Sequence, residues 1–379
     1  MFDIAIIGAG INGSALSYFL TKEGLSVALF DKSAIASGGS GAAGAFISPK
    51  ISAKGTICEL IEKAYLHSLK FYSKNFDTLT TNTSLLHISK DDKESKKIQD
   101  FKSSTSLLRV ETPASLNKIL LNSAKDSEAV YLKHSAVVKA KELCEALAKD
   151  AKFFNENITS LEYKNDHYVV GTQKAKKVIL ACGAYKMPIS EPYIKLRGIW
   201  GHRIDVKTTS RIPCNIHHHL SLSPSSTDGT VAIGATHNVH YHPEQNEELY
   251  NLKEGRLELL KKASFTTELQ NVNIVKDFVG LRCGTNDYMP YLGRVVNSVK
   301  TIEKFPLLVH GKKVAKENFE YHKDLFIING SGGYGFVLAP YLAKQLSEYI
   351  TKNTPLEEPL DPTRSFINYV KKEVKNAKN

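Results

Sequence analysis

The hydrophobic pattern of the chain is most regular at its beginning, where an apolar run, a helical repeat and a second apolar run follow one another. Residues 3–7 are short, apolar and rich in β-branched side chains, as is typical of a parallel strand buried on both faces. Apolar residues then recur at helical spacing over 14–24. Residues 26–30 are apolar again and end at Asp31. The pattern predicts a strand, a helix and a second strand within residues 2–31.

Further along the chain, helical and strand-like stretches alternate. The spacing of apolar residues predicts helices over 56–76, 91–97, 141–152, 246–264 and 337–350. Short apolar or alternating runs predict strands over 84–88, 129–133, 136–138, 177–184 and 325–329. The region 195–275 is rich in strand-like runs. A chain of 379 residues with this pattern suits two interleaved domains.

Three glycines follow the first predicted strand. Gly8, Gly10 and Gly13 have G-x-G-x-x-G spacing. The first permits a tight turn, the second lets the backbone approach a pyrophosphate, and the third lets the helix pack closely on the strand. The pyrophosphate would lie at the N-terminus of that helix. Asp31, at the end of the second strand, is placed to accept hydrogen bonds from a ribose, which favours NAD or FAD over NADP.

A second run of small residues, 36–46, follows Asp31. We interpret it as a second backbone cradle, over the pyrophosphate and ribityl chain. Together with the first motif, the sequence A-S-G-x-S-G-A-A-G at 36–44 resembles that of the D-amino-acid oxidase, glycine oxidase and sarcosine oxidase superfamily. The resemblance implies FAD as cofactor and an oxidoreductase acting on a CH–NH group. A purely nicotinamide-dependent dehydrogenase has no need of this second run.

Two later stretches carry the same resemblance. Residues 280–293 match G-x-R-x-x-T-x-D-x-x-P-x-x-G, whose arginine, here Arg282, holds the substrate carboxylate over the flavin in this superfamily. The glycine-rich residues 330–336 open a helix whose dipole would stabilise negative charge on the reduced flavin. Many relatives carry an arginine in this loop. This chain has Gly333 and Tyr334 there, and Tyr334 is expected to supply a hydroxyl instead.

The resemblance also predicts which residues form the site. We expect the cofactor to be bound by Gly8, Gly10, Ile11, Asn12, Gly13, Asp31, Lys32, Ser37, Gly38, Ser40, Ala43, Gly44, Ile158, Cys182, Gly183, Gly333, Tyr334 and Gly335. Arg282 and Tyr334 are the expected catalytic residues. Cys283 lies near the position where some sarcosine oxidases attach their flavin covalently, and we expect no attachment here.

The motifs bracket nearly the whole chain and imply a fold. It is expected to be α/β (α+β overall) and glycine oxidase-like, with a Rossmann-like FAD-binding domain interleaved with an antiparallel-sheet substrate domain. The FAD-binding domain is predicted over 1–80, 130–190 and 320–379. The substrate domain is predicted over 81–129 and 191–319.

The charge of the chain leaves two interpretations open. There are 50 Lys and Arg residues against 39 Asp and Glu, a net charge of +11 and a sequence pI near 9.1. This excess is either a compositional bias on solvated faces or the mark of a polyanionic partner. The second interpretation has local support in a basic C-terminal segment that contains Arg364, Lys371, Lys372, Lys375 and Lys378.

Cysteine and histidine usage bears on compartment and metals. The five cysteines are scattered without C-x-x-C spacing, which indicates a reducing, cytoplasmic environment and no zinc site. No apolar stretch approaches 18 residues and no signal peptide is evident, so no membrane association is expected. His217, His218 and His219 are consecutive, but neighbours along a strand point to opposite faces, and we expect no metal there.

Within the superfamily, the chain resembles the FAD-dependent oxidase domains of the bifunctional enzymes that make 5-methylaminomethyl-2-thiouridine in tRNA. The resemblance rests on Arg197-Gly198 with His202, 233–235 with His237, 280–290, and the basic segment after 360–362. It implies tRNA as partner and removal of the carboxymethyl group from carboxymethylaminomethyl-uridine, by a chain that acts alone or alongside a separate methyltransferase. The alternatives are a small-molecule oxidase or dehydrogenase acting on glycine, sarcosine or a D-amino acid, and a flavin-fold binding protein without turnover.

Overall fold

The computed structural model describes residues 1–376, with side chains through residue 372. The strands are β1 (Phe2–Ile7), β2 (Val27–Asp31), β3 (Phe46–Ile47), β4 (Thr80–Ile88), β5 (Ala129–Val138), β6 (Lys152–Asn155), β7 (Glu162–Lys164), β8 (His167–Val170), β9 (Gln173–Leu180), β10 (Leu196–Lys207), β11 (Asn215–His217), β12 (Ser221–Leu222), β13 (Thr230–Gly234), β14 (Asn273–Thr285), β15 (Tyr291–Val296) and β16 (Tyr321–Asn329). The helices are α1 (Ile11–Lys22), α2 (Thr56–Asn75), α3 (Asp92–Ser104), α4 (Asn122–Lys125), α5 (Ala140–Ala148), α6 (Leu252–Ala263), α7 (Ser298–Lys304), α8 (Gly335–Lys352) and α9 (Thr363–Asn376).

The first sheet is built around β1. Its strand order is β15-β16-β9-β1-β2-β6, and the β7–β8 hairpin is attached at β9. β2 and β9 flank β1 and both pair with it in parallel. Side chains along β1 alternate between two buried clusters, with Ile4 and Ile6 in one and Ala5 and Ile7 in the other. Burial on both faces explains why this strand is a continuous apolar run.

The second sheet has the order β14-β10-β13-β12-β11-β4-β5-β3. Its neighbouring strands pair antiparallel, except β11 and β4, which are parallel. Ile204, Val231 and Ile233 contribute to the core on this sheet, and Leu259 of α6 is buried in the same cluster. The predicted fold class is therefore confirmed: a parallel Rossmann-like sheet is interleaved with a mainly antiparallel one.

Sheet membership differs from the predicted domain ranges in two regions. β3 and most of β5 belong to the second sheet, although we assigned their residues to the FAD-binding domain. β15 lies in the first sheet, beside β16, although we assigned 291–296 to the substrate domain. A strand's own sequence indicates that it will pair but does not identify its partner, which explains both differences. The remaining domain boundaries stay a prediction.

Individual elements differ mainly at their ends. The helix predicted from residue 246 begins at Leu252, because the side chain of Asn251 accepts hydrogen bonds from the amides of Lys253 and Glu254 and caps it there. The two strands predicted over 129–138 are one continuous strand, β5. In the described part of the chain, no helix combines the length and the apolar character that crossing a membrane requires.

Candidate active site

A large cavity of about 660 Å³ is lined by residues of both sheets. Its volume is typical of sites for cofactors and small molecules. Loops that follow β1, β2, β9 and β16 form one side, and strands of the second sheet form the other. Every residue that the sequence predicted for the site lines this cavity, except Gly13. The structure thus brings the predicted residues together, while their individual roles remain predictions.

Gly13 lies behind the first turn. A Cβ built on Gly13 would overlap the carbonyl oxygen of Gly8, and one built on Gly8 would overlap the carbonyl oxygen of Ala181. Gly8 also has a φ of 107°, in the left-handed region that favours glycine. These glycines therefore let α1 approach β1 and β9 closely, which is the packing role expected of the third glycine.

The N-terminus of α1 is open towards a ligand. Its N-cap residue, Gly10, has no side chain to cap it, and the amide of Ile11 donates to Ser40 Oγ at 2.9 Å, which ties the first glycine-rich loop to the second. The amides of Asn12 and Gly13 have no acceptor among the described residues. Unpaired amides at the positive end of a helix dipole bind phosphate well, so this turn fits the pyrophosphate of a dinucleotide.

Asp31 has a structural task besides the predicted one. Its Oδ2 accepts a hydrogen bond from the amide of Ala9 at 2.9 Å. Its Oδ1 accepts from the amide of Ser33 at 3.1 Å and the hydroxyl of Ser37 at 3.3 Å. The carboxylate therefore holds the glycine-rich turn and the second loop together while it lines the cavity. Its contact with a ribose stays a prediction.

The loop after β16 is fixed to the other loops. Asn329 Nδ2 donates to the carbonyl of Gly183 at 3.0 Å, and Ser331 Oγ donates to Asn12 Oδ1 at 3.2 Å. Tyr334 in this loop lines the cavity, and burial raises the pKa of its phenol, which therefore stays protonated. The Nζ of Lys50 lies 5.8 Å from the centre of the Tyr334 ring. The loops form one framework around the space for the cofactor.

Arg282 reaches the cavity from β14. Its guanidinium crosses Gly201 of β10, where any Cβ would overlap it, and its Nη2 donates to the carbonyl of Thr236. Burial lowers the pKa of this guanidinium, and no carboxylate in the described part of the chain lies within ion-pair distance of it. A desolvated cation without a counter-charge favours an anion in the cavity. This geometry supports a carboxylate site and argues against a structural salt bridge.

Other residues singled out in the sequence lie elsewhere. His202 is buried, and its Nε2 lies 2.9 Å from Oδ1 of Asp277, which Arg256 also contacts. Arg197 stacks over the ring of Tyr288 at 5.5 Å. Neither residue lines the cavity, and both belong to β10 of the second sheet.

The sequence analysis did not assign several residues of the cavity to the site. They are Lys50, His87, Glu94, Lys97, Lys186, Arg203 and His217. His87 and His217 are register partners on β4 and β11, two strands far apart in the chain. The alternation of side chains along each strand indicates which face of the sheet each histidine occupies. Only the pairing of the two strands shows that the histidines are neighbours.

The three consecutive histidines have separate partners. His217 faces the cavity, His218 Nδ1 lies 3.0 Å from the hydroxyl of Thr266, and the His219 ring packs 4.7 Å from that of Phe265. Among the side chains of residues 1–372, no three His, Cys, Asp or Glu residues are grouped so as to hold a metal ion.

Comparison with known proteins decides the family. Residues 3–349 match the family model described as DAO, FAD dependent oxidoreductase. The chain belongs to the DAO family. Its cofactor is therefore FAD, and the predicted superfamily and enzyme class, an FAD-dependent oxidoreductase, are confirmed. This cofactor fits the open N-terminus of α1, the linked glycine-containing loops and the volume of the cavity. When bound, its flavin serves as a hydride acceptor.

Within the DAO family, two kinds of relative match. The chain is 23% identical over 412 residues to the tRNA 5-methylaminomethyl-2-thiouridine biosynthesis bifunctional protein MnmC of Shewanella amazonensis, covering 98% of this chain and 60% of that protein. It is 23% identical over 327 residues to the glycine oxidase of Bacillus subtilis, covering 77% of this chain and 84% of that protein. The crystal structure of glycine oxidase from Geobacillus kaustophilus superposes with a TM-score of 0.75 at 19% identity, covering 96% and 98% of the two chains. The chain thus spans about 60% of the length of this MnmC relative.

We expect FAD to be bound without a covalent link to Cys283. Burial raises the pKa of the Cys283 thiol to about 12, and a protonated thiol is a poor nucleophile. Acid precipitation of the yellow holoenzyme should therefore leave all flavin in the supernatant, measured by absorbance. Cys283→Ser should bind as much FAD as the wild type. Flavin that stays in the wild-type pellet but not in the Cys283→Ser pellet would contradict this prediction.

Proposed function

We propose that the chain removes the carboxymethyl group from carboxymethylaminomethyl-uridine at the wobble position of tRNA, giving aminomethyl-uridine and glyoxylate. The observation that supports this most directly is Arg282, a partly buried guanidinium in the cavity without a carboxylate partner among the described residues. The side chain of the modified uridine is in effect an N-substituted glycine. It offers the carboxylate that Arg282 lacks.

In the proposed reaction, the protein contributes mainly by binding and orienting the substrate. Arg282 holds the substrate carboxylate and thereby fixes the carbon next to it. The loops that carry Gly10, Ser40 and Tyr334 would hold FAD, which would supply the hydride acceptor. The neutral secondary amine of the substrate would lose a hydride from this carbon and become an iminium ion. Water would then add to the iminium carbon and the C–N bond would break, so that the carboxymethyl group leaves as glyoxylate and the nitrogen stays on aminomethyl-uridine as an ammonium group. A dry cavity favours the uncharged amine, so no side-chain base is required, and Tyr334 contributes a neutral hydroxyl.

Charge around the cavity supports a polyanionic substrate. The Lys and Arg residues that line it are Lys32, Lys50, Lys97, Lys186, Arg203 and Arg282, against the acids Asp31, Glu94 and Glu156. Lys32 pairs with Glu244, and Arg203 donates to Asp205 at 2.8 Å. Lys50, Lys97 and Lys186 have no acidic partner among the described residues. Such cations attract phosphates, and we expect binding of the tRNA to weaken as salt is added.

The basic C-terminal segment contributes less than its sequence suggested. Nε of Arg364 donates to Asp287 Oδ2 at 2.8 Å, and its Nη2 donates to the carbonyl of Met289. This arginine therefore braces the loop after β14 rather than contacting phosphate. Lys371 and Lys372 are exposed on α9 and remain candidates. The side chain of Lys375 and all of Lys378 lie outside the described residues.

The second candidate function is a small-molecule oxidase or dehydrogenase acting on glycine, sarcosine or a D-amino acid. It would use Arg282 in the same way, and it is supported by the match along most of the Bacillus subtilis glycine oxidase. Under the first proposal, a methyltransferase is a candidate partner.

Anaerobic reduction of the flavin distinguishes the two functions. The holoenzyme is mixed with glycine, sarcosine, D-alanine, or an anticodon stem-loop bearing the carboxymethylaminomethyl group. The absorbance of the flavin band at about 450 nm is then followed. The unmodified stem-loop is the matched control. We expect rapid bleaching by the modified stem-loop alone. Bleaching by a free amino acid, with the stem-loop inert, would establish the small-molecule function and overturn the first proposal.

A further inference from the structure

His217 is a polar side chain in the cavity for which the described protein supplies no hydrogen-bond partner. Its Nε2 is buried and unpaired. Its ring lies edge-on to the rings of Phe46, at 5.3 Å, and His87, at 6.0 Å. Burial and the neighbouring His87 lower the pKa of His217 to about 3, so the imidazole is neutral near pH 7. A buried polar atom without a partner is unfavourable, and a ligand that hydrogen-bonds to it removes that penalty.

His217 lies at some distance from the carboxylate site. The side chain of Arg282 crosses β10 at Gly201 and reaches the carbonyl of Thr236, just beyond β13. From β13 the sheet continues through β12 to β11, which carries His217. Two strand separations correspond to about 10 Å. The carboxylate and amine of glycine are attached to the same carbon, so free glycine held by Arg282 is too short to contact His217.

The surroundings of His217 hold it in place. β11 pairs with β4 so that His217 and His87 are register partners. His87 in turn lies 3.5 Å from the carboxylate of Glu94, whose amide donates at 2.8 Å to Asp91 at the start of α3. The ring of His217 is thus confined between His87 and Phe46. A confined donor or acceptor can select ligands by their shape, since it does not rotate to suit each one.

We propose that His217 hydrogen-bonds to the uracil ring of the substrate and selects an N-substituted glycine that carries such a ring over glycine or sarcosine. This assignment rests on the proposed function. The edge of uracil offers two carbonyl acceptors and an N–H donor, so either neutral tautomer of His217 finds a partner. His217 is a substrate-binding residue in this assignment, and the chemistry at the carbon beside the carboxylate does not involve it.

Stopped-flow reduction of the holoenzyme by the modified stem-loop tests the assignment, because it separates the apparent dissociation constant from the limiting reduction rate. We expect His217→Leu to raise the apparent dissociation constant about tenfold and to leave the limiting rate within about twofold. His217→Asn, which keeps a polar group of smaller size, should recover part of the affinity. The matched control is His219→Leu, since the ring of His219 packs on Phe265 outside the cavity and should not affect either constant. FAD content and the melting temperature are measured for each variant.

The outcomes separate the two proposals. If the stem-loop reduces the wild type and His217→Leu binds it equally well, the assignment of His217 is wrong and the proposed function stands. If the stem-loop fails to reduce the wild type, the proposed function is wrong and the assignment falls with it. If His217→Leu cannot be purified with FAD, His217→Asn is tested in its place. The assignment would also be overturned if His217→Asn shows wild-type affinity and rate with the stem-loop but binds sarcosine more weakly than the wild type does.

Discussion

Arg282→Ala is expected to lower the second-order rate constant of flavin reduction by about two to three orders of magnitude, equivalent to about 3–4 kcal/mol. The variant removes the partly buried cation that the substrate carboxylate would pair with. It leaves the glycine-containing loops unchanged, because the guanidinium crosses Gly201 and contacts Thr236 rather than those loops. FAD content should therefore equal that of the wild type. Anaerobic reduction by whichever substrate bleaches the wild type measures the loss.

Arg282→Lys is the control for charge. Lysine keeps a positive charge but loses the two parallel donors of the guanidinium, so an intermediate rate constant is expected. An Ala variant that retains activity within about fivefold of the wild type would place the carboxylate elsewhere. Lys50, the half-buried cation beside Tyr334, would then be the first residue to substitute.

Gly13→Ala is expected to abolish stable FAD binding. The new Cβ would overlap the carbonyl oxygen of Gly8, and because Cβ is fixed to the backbone, no rotamer relieves the overlap. α1 must then move away from β1, which displaces the amides that would face the pyrophosphate. The purified variant should be colourless, and titration with FAD should show an affinity at least about a hundredfold weaker, from loss of several charge-assisted hydrogen bonds.

Gly55→Ala is the matched control for the glycine substitution. Gly55 precedes α2, its φ of 165° is extended, and a Cβ there meets nothing within 4 Å. This variant should be yellow, with wild-type FAD affinity and only a small loss of stability. A colourless Gly55→Ala variant, or a yellow Gly13→Ala variant, would contradict the explanation given for the first turn.

The cofactor side of the cavity was predictable because its determinants are local. The strand, turn, helix and acid of residues 2–31 are consecutive, and each step has a periodicity or a glycine that identifies it. The structure places these residues around the cavity as expected. The hydrogen bonds of Asp31 to Ala9 and Ser37 could not be predicted in this way. They depend on the fold of two loops, and no pattern in the sequence next to Asp31 indicates them.

The substrate side was less predictable because its determinants come from strand pairing. From the sequence, His217 was considered only as one of three consecutive histidines and His87 was not placed at the site; only the parallel pairing of β4 with β11 brings the two together. The unpaired state of Arg282 also depends on Gly201, a residue of another strand that leaves space for the guanidinium. Similarly, Arg364 was counted among the basic residues of the C-terminal segment, and its pairing with Asp287, which is far away in the sequence, is visible only in the fold.

The interleaving of the two sheets has a consequence for synthesis of the protein. β1 is made first, yet its neighbour β9 follows only at residues 173–180 and β16 only at 321–329. The second sheet likewise stays incomplete until β14, at residues 273–285, has been made. A nascent chain therefore carries unpaired strand edges until β16 has left the ribosome, and contacts so distant in sequence form slowly. The loop after β16 completes the lining of the flavin cavity, so FAD binds only after residues 331–336 have been made, and products truncated before this loop are expected to aggregate rather than to fold as separate halves.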